Sequence, residues 1–354
     1  MAETFFDLSR FGRLPEVPRA KLMNGVTTLS ALPNLGAIYD GEVKLFAKRD
    51  DNGDLAFGGN KVRQLEFYFG EALSLGADTV LITGAVQSNF VRLATAAARK
   101  LGLDCHIQLE ERVAKNDPYY RTSGNVLLDK LLGATIHSYP EGEDEAGADR
   151  NLELIAAGLK AKGRKPYIIP LSAGHPPLGA LGYIICAQEL LQQQLDSSLK
   201  IDEIVVASGS GSTHAGLLFG LRVFGSSIPV KGICVRRDAG QQYPRIKGRC
   251  QEIADFLRIE NPVTDEDVDV DDTFLPPGYG NANSDVMQAI LVAARTEALM
   301  LDPTYTGKSM AGFMARASQA KSGSTLVYIH TGGTPAIFAY EKAFEQAFNQ
   351  FSGN

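Results

Sequence analysis

Apolar and polar positions run along the chain in two rhythms, and the switch between them recurs at regular intervals. Helix-period apolar stretches end on glycine and give way to short β-branched runs. Ser74-Leu75-Gly76 precedes Thr79-Val80-Leu81-Ile82-Thr83, and Lys100-Leu101-Gly102 precedes Cys105-His106-Ile107-Gln108-Leu109. Leu131-Leu132-Gly133 precedes Thr135-Ile136-His137, and Ala161-Lys162-Gly163 precedes Pro166-Tyr167-Ile168-Ile169. A glycine just past a helix supplies the left-handed residue that closes it. The strands are too continuously apolar to keep one face in water, so the repeated unit predicts a parallel sheet covered on both faces. A second set follows at Ile204-Val205-Val206-Ala207, Val230-Lys231-Gly232-Ile233-Cys234-Val235 and Leu326-Val327-Tyr328-Ile329, and the early strand Leu45-Phe46-Ala47-Lys48 can join it. The expected fold class is α/β, two open parallel-sheet three-layer domains. A small domain is expected over 61–170 and a discontinuous large one over 1–60 and 171–354. The acidic stretch from Thr264 to Asp272 reads as a solvated surface segment.

Composition narrows the function classes. The 354 residues carry 21% charged side chains, a net charge of −6 and a pI near 5.5, which suits a soluble enzyme acting on a small molecule. No basic run rises above the background, so nucleic acid is not an expected partner. The start, Met1-Ala2-Glu3-Thr4-Phe5-Phe6-Asp7, has neither the charged n-region nor the apolar h-region of a signal peptide. No stretch approaches the ~18 apolar residues of a membrane span. Cys105, Cys186, Cys234 and Cys250 are scattered without a C-x-x-C pair and read as reduced thiols, so the expected location is cytoplasmic.

Candidate chemistry centres on Phe57-Gly58-Gly59-Asn60-Lys61-Val62-Arg63-Gln64-Leu65-Glu66, which sets a lysine behind two glycines at the mouth of an amphipathic helix. The glycines let the backbone approach another group closely, and a helix N-terminus is an awkward place for a cation. An amine kept there is expected to titrate below its free value of about 10.4 and to act as a nucleophile or Schiff-base former. An ordinary helix start with Lys61 at its first position is the alternative. Three strand-to-turn segments accompany it: Gly84-Ala85-Val86-Gln87-Ser88-Asn89, Ser208-Gly209-Ser210-Gly211-Ser212-Thr213 and His330-Thr331-Gly332-Gly333. Ligands of open α/β sheets sit beyond the carboxyl ends of the strands, so these turns are expected to share one crevice. The second turn offers backbone N–H groups and hydroxyls at a helix N-terminus, a phosphate cradle. It is not a dinucleotide fingerprint, because the third required glycine falls on His214. Gly307-Lys308-Ser309 is not a P-loop, because the required upstream glycine is Asp302. No serine sits in a nucleophile elbow, and the five histidines show no metal spacing. His214 and His330 read as structural or supporting donors. Tyr279 and Tyr305, on loops, are candidates for acid–base or orienting work. A lysine able to form a Schiff base beside a single-phosphate cradle points to pyridoxal phosphate.

Six motifs in fixed order extend this reading over nearly the whole chain: Gly58-Gly59-Asn60-Lys61, Gln87-Ser88-Asn89, Ala207 to Gly216, Pro277-Gly278-Tyr279-Gly280, Leu301 to Lys308, and His330-Thr331-Gly332-Gly333. Together they resemble the D-cysteine desulfhydrase / 1-aminocyclopropane-1-carboxylate (ACC) deaminase family, whose fold is tryptophan-synthase-β-like, pyridoxal-phosphate fold type II. The resemblance implies Lys61 as the Schiff-base lysine and the base for the substrate α-proton. It implies Asn89 against the cofactor's 3-oxygen, Gly209, Ser210, Gly211, Ser212 and Thr213 around its phosphate, and Thr306 and Thr331 near its ring nitrogen. Gln87, Ser88 and Asn89 would receive the substrate carboxylate, with Ser88 also placed for proton transfer, and Tyr279 and Tyr305 would line the substrate face.

ACC deaminases resemble one another in carrying Glu after the second tyrosine and Leu after the late histidine, where this chain has Thr306 and Thr331. A hydroxyl supports a delocalised carbanion less than a carboxylate would. The resemblance therefore favours β-elimination, with D-cysteine the leading substrate, L-cysteate with release of sulfite the runner-up, and ACC disfavoured. Three departures bear on the substrate: Phe90 where desulfhydrases usually carry His, Gln64 where relatives often carry Lys, and the Ser172-Ala173-Gly174-His175-Pro176-Pro177 turn. A homodimer is what the resemblance and general base rates imply.

Overall fold

The computed structural model describes residues 7–39, 41–114, 117–171 and 175–351. The first six residues and the Ser172-Ala173-Gly174 part of the turn discussed above lie outside them. Among the described residues, ten strands form two sheets: β1 (Leu29–Ala31), β2 (Lys44–Lys48), β3 (Thr79–Ala85), β4 (Asp104–Glu110), β5 (Thr135–Tyr139), β6 (Pro166–Ile169), β7 (Glu203–Ser208), β8 (Val230–Cys234), β9 (Asp269–Asp271) and β10 (Thr325–Ile329). The four-stranded sheet runs β5-β4-β3-β6 and is parallel throughout. Every residue of β3 is buried, as its unbroken apolar run requires. The glycines that close the preceding helices take the left-handed conformation, with φ of 68° at Gly76, 76° at Gly102, 74° at Gly133 and 79° at Gly163.

The six-stranded sheet runs β1-β2-β10-β7-β8-β9. Its pairs are parallel except β1 with β2, and Val327 of β10 lies between Phe46 of β2 and Ile204 of β7. An early strand thus completes a sheet whose other members come late in the chain. Two edge strands, β1 and β9, escape the hydrophobic pattern. The acidic stretch is not wholly a solvated segment, because Asp269–Asp271 pairs along β8 and Asp269 accepts from Lys231 Nζ at 2.5 Å. Charged side chains on a short edge strand discourage further pairing.

The helix Asn60–Ser74 packs chiefly against Leu178–Asp196 and also against Asn89–Lys100, so it touches helices covering both sheets. Gly182 permits the close approach, since a Cβ there would fall 2.3 Å from the Arg63 carbonyl oxygen. Behind the helix lies a buried charge network. Arg63 donates to Asp50 through Nε and Nη2, both at 2.9 Å, and to Glu189 at 2.9 and 2.7 Å. Lys48 Nζ reaches Glu189 at 3.0 Å, and the Tyr183 hydroxyl reaches Asp50 at 2.6 Å. Burial alone would raise the Asp50 pKa, but Arg63 and Lys48 outweigh it and hold the carboxyl below its ordinary range. All four cysteines are buried free thiols, each pushed up to about 12 by burial.

Candidate active site

The carboxyl ends of β3, β7 and β10 open onto one cleft between the two sheets. Lys61 enters it from a turn held under strain. Ala56, Phe57, Gly58 and Gly59 all have positive φ, at 41°, 69°, 59° and 123°. Non-glycine residues adopt such angles only where their surroundings insist. Arg92, fully buried, supplies part of that insistence by donating to the carbonyls of Ala56 and Gly58. The turn is also stitched to the one after β10, since Asn60 N donates to Thr331 O at 3.0 Å and a Cβ on Gly332 would lie 2.7 Å from Gly59 Cα. The close backbone approach expected of these glycines is therefore an approach to another turn.

The helix begins at Asn60, which makes Lys61 its second residue. The Lys61 amine donates to Gln64 Oε1 at 3.2 Å and sits 4.9 Å from the centre of the Phe90 ring. Burial lowers its pKa to about 8, and desolvation is the cause rather than the helix terminus. Lys308, the other lysine lowered to about 8 by burial, is differently placed. Its Nζ donates to the carbonyls of Leu275 and Gly278, both at 2.7 Å, and so ties down the loop that carries Tyr279.

The phosphate-cradle candidate follows β7. Gly211 is left-handed at φ 98°, and the helix Ser212–Val223 starts directly after it. The loop is braced from outside: Gln242 Nε2 donates to Ser208 Oγ at 2.8 Å and Gly209 O at 3.1 Å, and Arg245 Nε donates to Ser210 O at 2.9 Å. Asn60 Nδ2 and Gln64 Nε2 both donate to Thr213 Oγ1, at 2.8 and 3.0 Å, linking the cradle to the lysine helix. Gly209, Ser210, Gly211 and Thr213 line the cleft, whereas Ser212 faces the small neighbouring pocket beside Gln64.

After β3, Ser88 and Asn89 line the cleft. Ser88 Oγ caps the helix Asn89–Lys100 by accepting from Val91 N at 3.2 Å. Asn89 Oδ1 is held by Asn125 Nδ2 at 2.8 Å. Gln87 turns away: its amide donates to the carbonyls of Tyr120 and Ser123 and accepts from Asn125 N. It braces the turn and does not line the cleft. Tyr279 and Tyr305 stand edge to face with ring centres 5.8 Å apart and their hydroxyls hydrogen-bonded to each other. Burial raises both phenols above their ordinary pKa, so they stay protonated.

Thr331 lines the cleft, but Thr306 does not. The Thr306 hydroxyl donates to Asp302 Oδ2 at 2.7 Å. Asp302 also accepts from the backbone N–H groups of Thr304, Tyr305 and Thr306, which occupies both of its oxygens. His214 and His330 are buried supports with pKa lowered to about 4 by burial; Nδ1 of the first lies 3.1 Å from Ser208 Oγ, and Gly332 N donates to Nδ1 of the second at 3.3 Å. Among the described residues no group of three or more His, Cys, Asp or Glu side chains could hold a metal ion, and no helix is long and apolar enough to cross a membrane.

The sequence reading missed the rim. Arg112, Arg236, Arg237 and Arg245 line the cleft with Glu145. Arg112 follows the end of β4, and Arg236 and Arg237 follow the end of β8, where the strand-end rule would have pointed.

The residues present fit pyridoxal phosphate. An amine of lowered pKa shares the cleft with a helix N-terminus whose glycine backbone leaves room for an anion, and the Phe90 ring beside the amine adds an apolar wall. Comparison with known proteins agrees. The chain belongs to the pyridoxal-phosphate dependent enzymes, whose family profile matches residues 20–332. Its cofactor is pyridoxal phosphate and its fold is type II. Within that family it is similar to a D-cysteine desulfhydrase of Klebsiella pneumoniae, 39% identical over 92% of this chain and 97% of the relative. It is also similar to a 1-aminocyclopropane-1-carboxylate deaminase of Burkholderia vietnamiensis, 37% identical over 94% and 98%. The crystal structure of an ACC deaminase homologue superposes with a TM-score of 0.85 at 35% identity, covering 98% of this chain and 100% of that one. An O-ureido-L-serine synthase shares the fold at a TM-score of 0.65 and 14% identity.

Proposed function

We propose that the protein is a carbon–sulfur lyase that carries out β-elimination on an amino acid, with D-cysteine giving pyruvate, sulfide and ammonia. The observation that carries the choice is the state of Asp302. Among the described residues, Asp302 and Glu145 are the carboxylates lining the cleft; the first has both oxygens occupied and the second is paired with arginines at the rim. Thr331 offers a hydroxyl instead. A site without a free carboxylate for the ring nitrogen suits departure of a good leaving group from Cβ better than opening of a cyclopropane.

Pyridoxal phosphate bound here supplies an electron sink for negative charge developing at Cα. The rest falls to this chain. Lys61 is the covalent anchor, because its amine opens onto the cleft with only an amide oxygen at 3.2 Å, whereas the Lys308 amine is spent on two carbonyls. A neutral Lys61 amine takes the proton from Cα. Ser88 and Asn89, at a helix N-terminus, orient the substrate carboxylate. The cradle from Gly209 to Thr213 receives the phosphate, and the tyrosine pair encloses the leaving group. The Cα–H electron pair becomes the Cα–Cβ double bond, the Cβ–S pair leaves with sulfur, and water converts the aminoacrylate to pyruvate and ammonium.

The test is the identity of the keto acid. Holoenzyme given D-cysteine should release pyruvate and sulfide, and given ACC should release no 2-oxobutanoate. Turnover of ACC to 2-oxobutanoate would overturn the reading.

A further inference from the structure

Arg92 is a fully buried cation that meets no carboxylate within ion-pair distance among the described residues. The carboxyl that acts on it electrostatically is Asp129, in the helix Asn125–Leu131. Asp129 is itself buried, and its Oδ2 has no directed partner among the described residues. Burial lowers the Arg92 pKa to about 10 and raises that of Asp129 to about 7, and their mutual attraction offsets only part of each shift. An unpaired guanidinium in the interior costs stability, so packing alone does not account for it. Its donors go instead to neutral oxygens of two turns. Nη1 donates to the carbonyls of Ala56 and Gly58, the second at 3.2 Å, in the turn that presents Lys61. Nη2 donates to Asn89 Oδ1 at 3.4 Å and Nε to Asn125 Oδ1 at 3.2 Å. One guanidinium thus joins the lysine turn to the Ser88-Asn89 wall of the cleft.

The same contacts fix which end of the Asn89 amide faces the cleft. A guanidinium only donates, so Asn125 turns its amide oxygen toward Arg92. The Asn125 amide nitrogen then donates to the Gln87 carbonyl at 3.0 Å and to Asn89 Oδ1 at 2.8 Å. Asn125 is fully buried and is held in that pose by its backbone N, which donates to Gln87 Oε1 at 2.9 Å. Asn89 therefore meets two donors, Arg92 and Asn125, and only its oxygen can answer both. Its amide nitrogen is the end left over, with no directed acceptor among the described residues, on a residue that lines the cleft. The Asn89 side chain offers the site an N–H and no acceptor.

We infer that Arg92 is a positioning residue of this site: with Asn125 as relay it aims the Asn89 amide N–H at an acceptor oxygen of bound pyridoxal phosphate, and it holds the turn from which Lys61 reaches the cofactor. The backbone N–H groups of the same helix end are left for the substrate carboxylate. The inference rests on Lys61 as the anchor and is independent of which amino acid is turned over. A donor aimed at a ring oxygen favours its ionised form, which carries the long-wavelength absorption of the bound cofactor. Lysine is no substitute at position 92. An ammonium is a point charge, whereas the rigid fork of a guanidinium reaches two carbonyls and two amide oxygens at once.

The test titrates cofactor-free protein with pyridoxal phosphate and records the absorption spectrum of the holoenzyme, with denaturant unfolding of the cofactor-free form as the control for folding. Asn125→Asp keeps the size of the side chain but cannot donate to Asn89. It should weaken cofactor binding about tenfold and move absorption from the long-wavelength to the short-wavelength band. Arg92→Lys, which loosens the lysine turn as well, should weaken binding more. In an Asn89→Ala background, Asn125→Asp should change neither affinity nor spectrum further, whereas the losses of a merely structural residue would add. If Arg92→Lys fails to fold, Asn125→Asp and the double variant decide. Wild-type affinity and spectrum in folded Asn125→Asp, or additive losses in the double variant, would overturn this inference alone. Borohydride labelling of the wild-type holoenzyme away from Lys61 would overturn the anchor assignment and the inference with it.

Discussion

Two charged regions flank the Lys61 helix, and they are built on opposite plans. Behind the helix, Lys48 and Arg63 meet Asp50 and Glu189, with Thr27 and Tyr183 completing the hydrogen bonds. Charge is matched and donors have acceptors. At the cleft rim, four arginines face Glu110 and Glu145, and a buried guanidinium nitrogen lacks a directed partner. A balanced, closed network holds the backbone in place, whereas the rim leaves guanidinium groups open to the cleft. The same residue types are therefore enclosed in one place and presented to the cleft in the other.

The comparison breaks most visibly if the closed network is opened. Arg63→Met strands Asp50 and Glu189 in the interior and should destabilise the protein by about 3–5 kcal/mol, read from denaturant unfolding. Lys61→Met comes next and has two readouts. Activity should fall at least about a thousandfold. In the cofactor-free protein the same change should stabilise the fold by on the order of 3 kcal/mol at pH 7. The sign follows from the lowered pKa: between about 8 folded and about 10.4 unfolded, the unfolded chain binds the extra proton, so wild-type stability rises with pH and the advantage of the variant fades toward pH 10. Ser88→Ala removes a helix cap and should cost about 1 kcal/mol in addition to lost activity. Arg237→Gln at the rim should move stability by less than about 0.5 kcal/mol, because it relieves like charge as it loses an ion pair. A loss there as large as that of Arg63→Met would erase the distinction between the two regions.

How much of this was legible depends on whether the signal is local. The helix–glycine–strand rhythm and the burial of β3 are written in neighbouring residues, and the glycines at 76, 102, 133 and 163 close their helices as expected. The edge strands β1 and β9 exist because a partner strand offers them hydrogen bonds, and three-residue segments carry no periodicity of their own. In the site, motif order placed Lys61, Ser88, Asn89, Thr331 and the tyrosines at one cleft, yet a motif fixes a backbone position and not a side chain's direction. Gln87 and Thr306 belong to the right turns but point into the protein, toward Asn125 and Asp302. The rim arginines come from separate strand ends and a distant helix, so only the assembled sheets bring them together.

The central claim is that Lys61, among the buried lysines, holds the cofactor. Lys308 is a fair rival, since burial lowers it to the same pKa of about 8. Borohydride reduction of the holoenzyme followed by peptide mapping separates them in one measurement. The pyridoxyl group is expected on the peptide containing Lys61; finding it on Lys308, or on no lysine, would contradict the assignment.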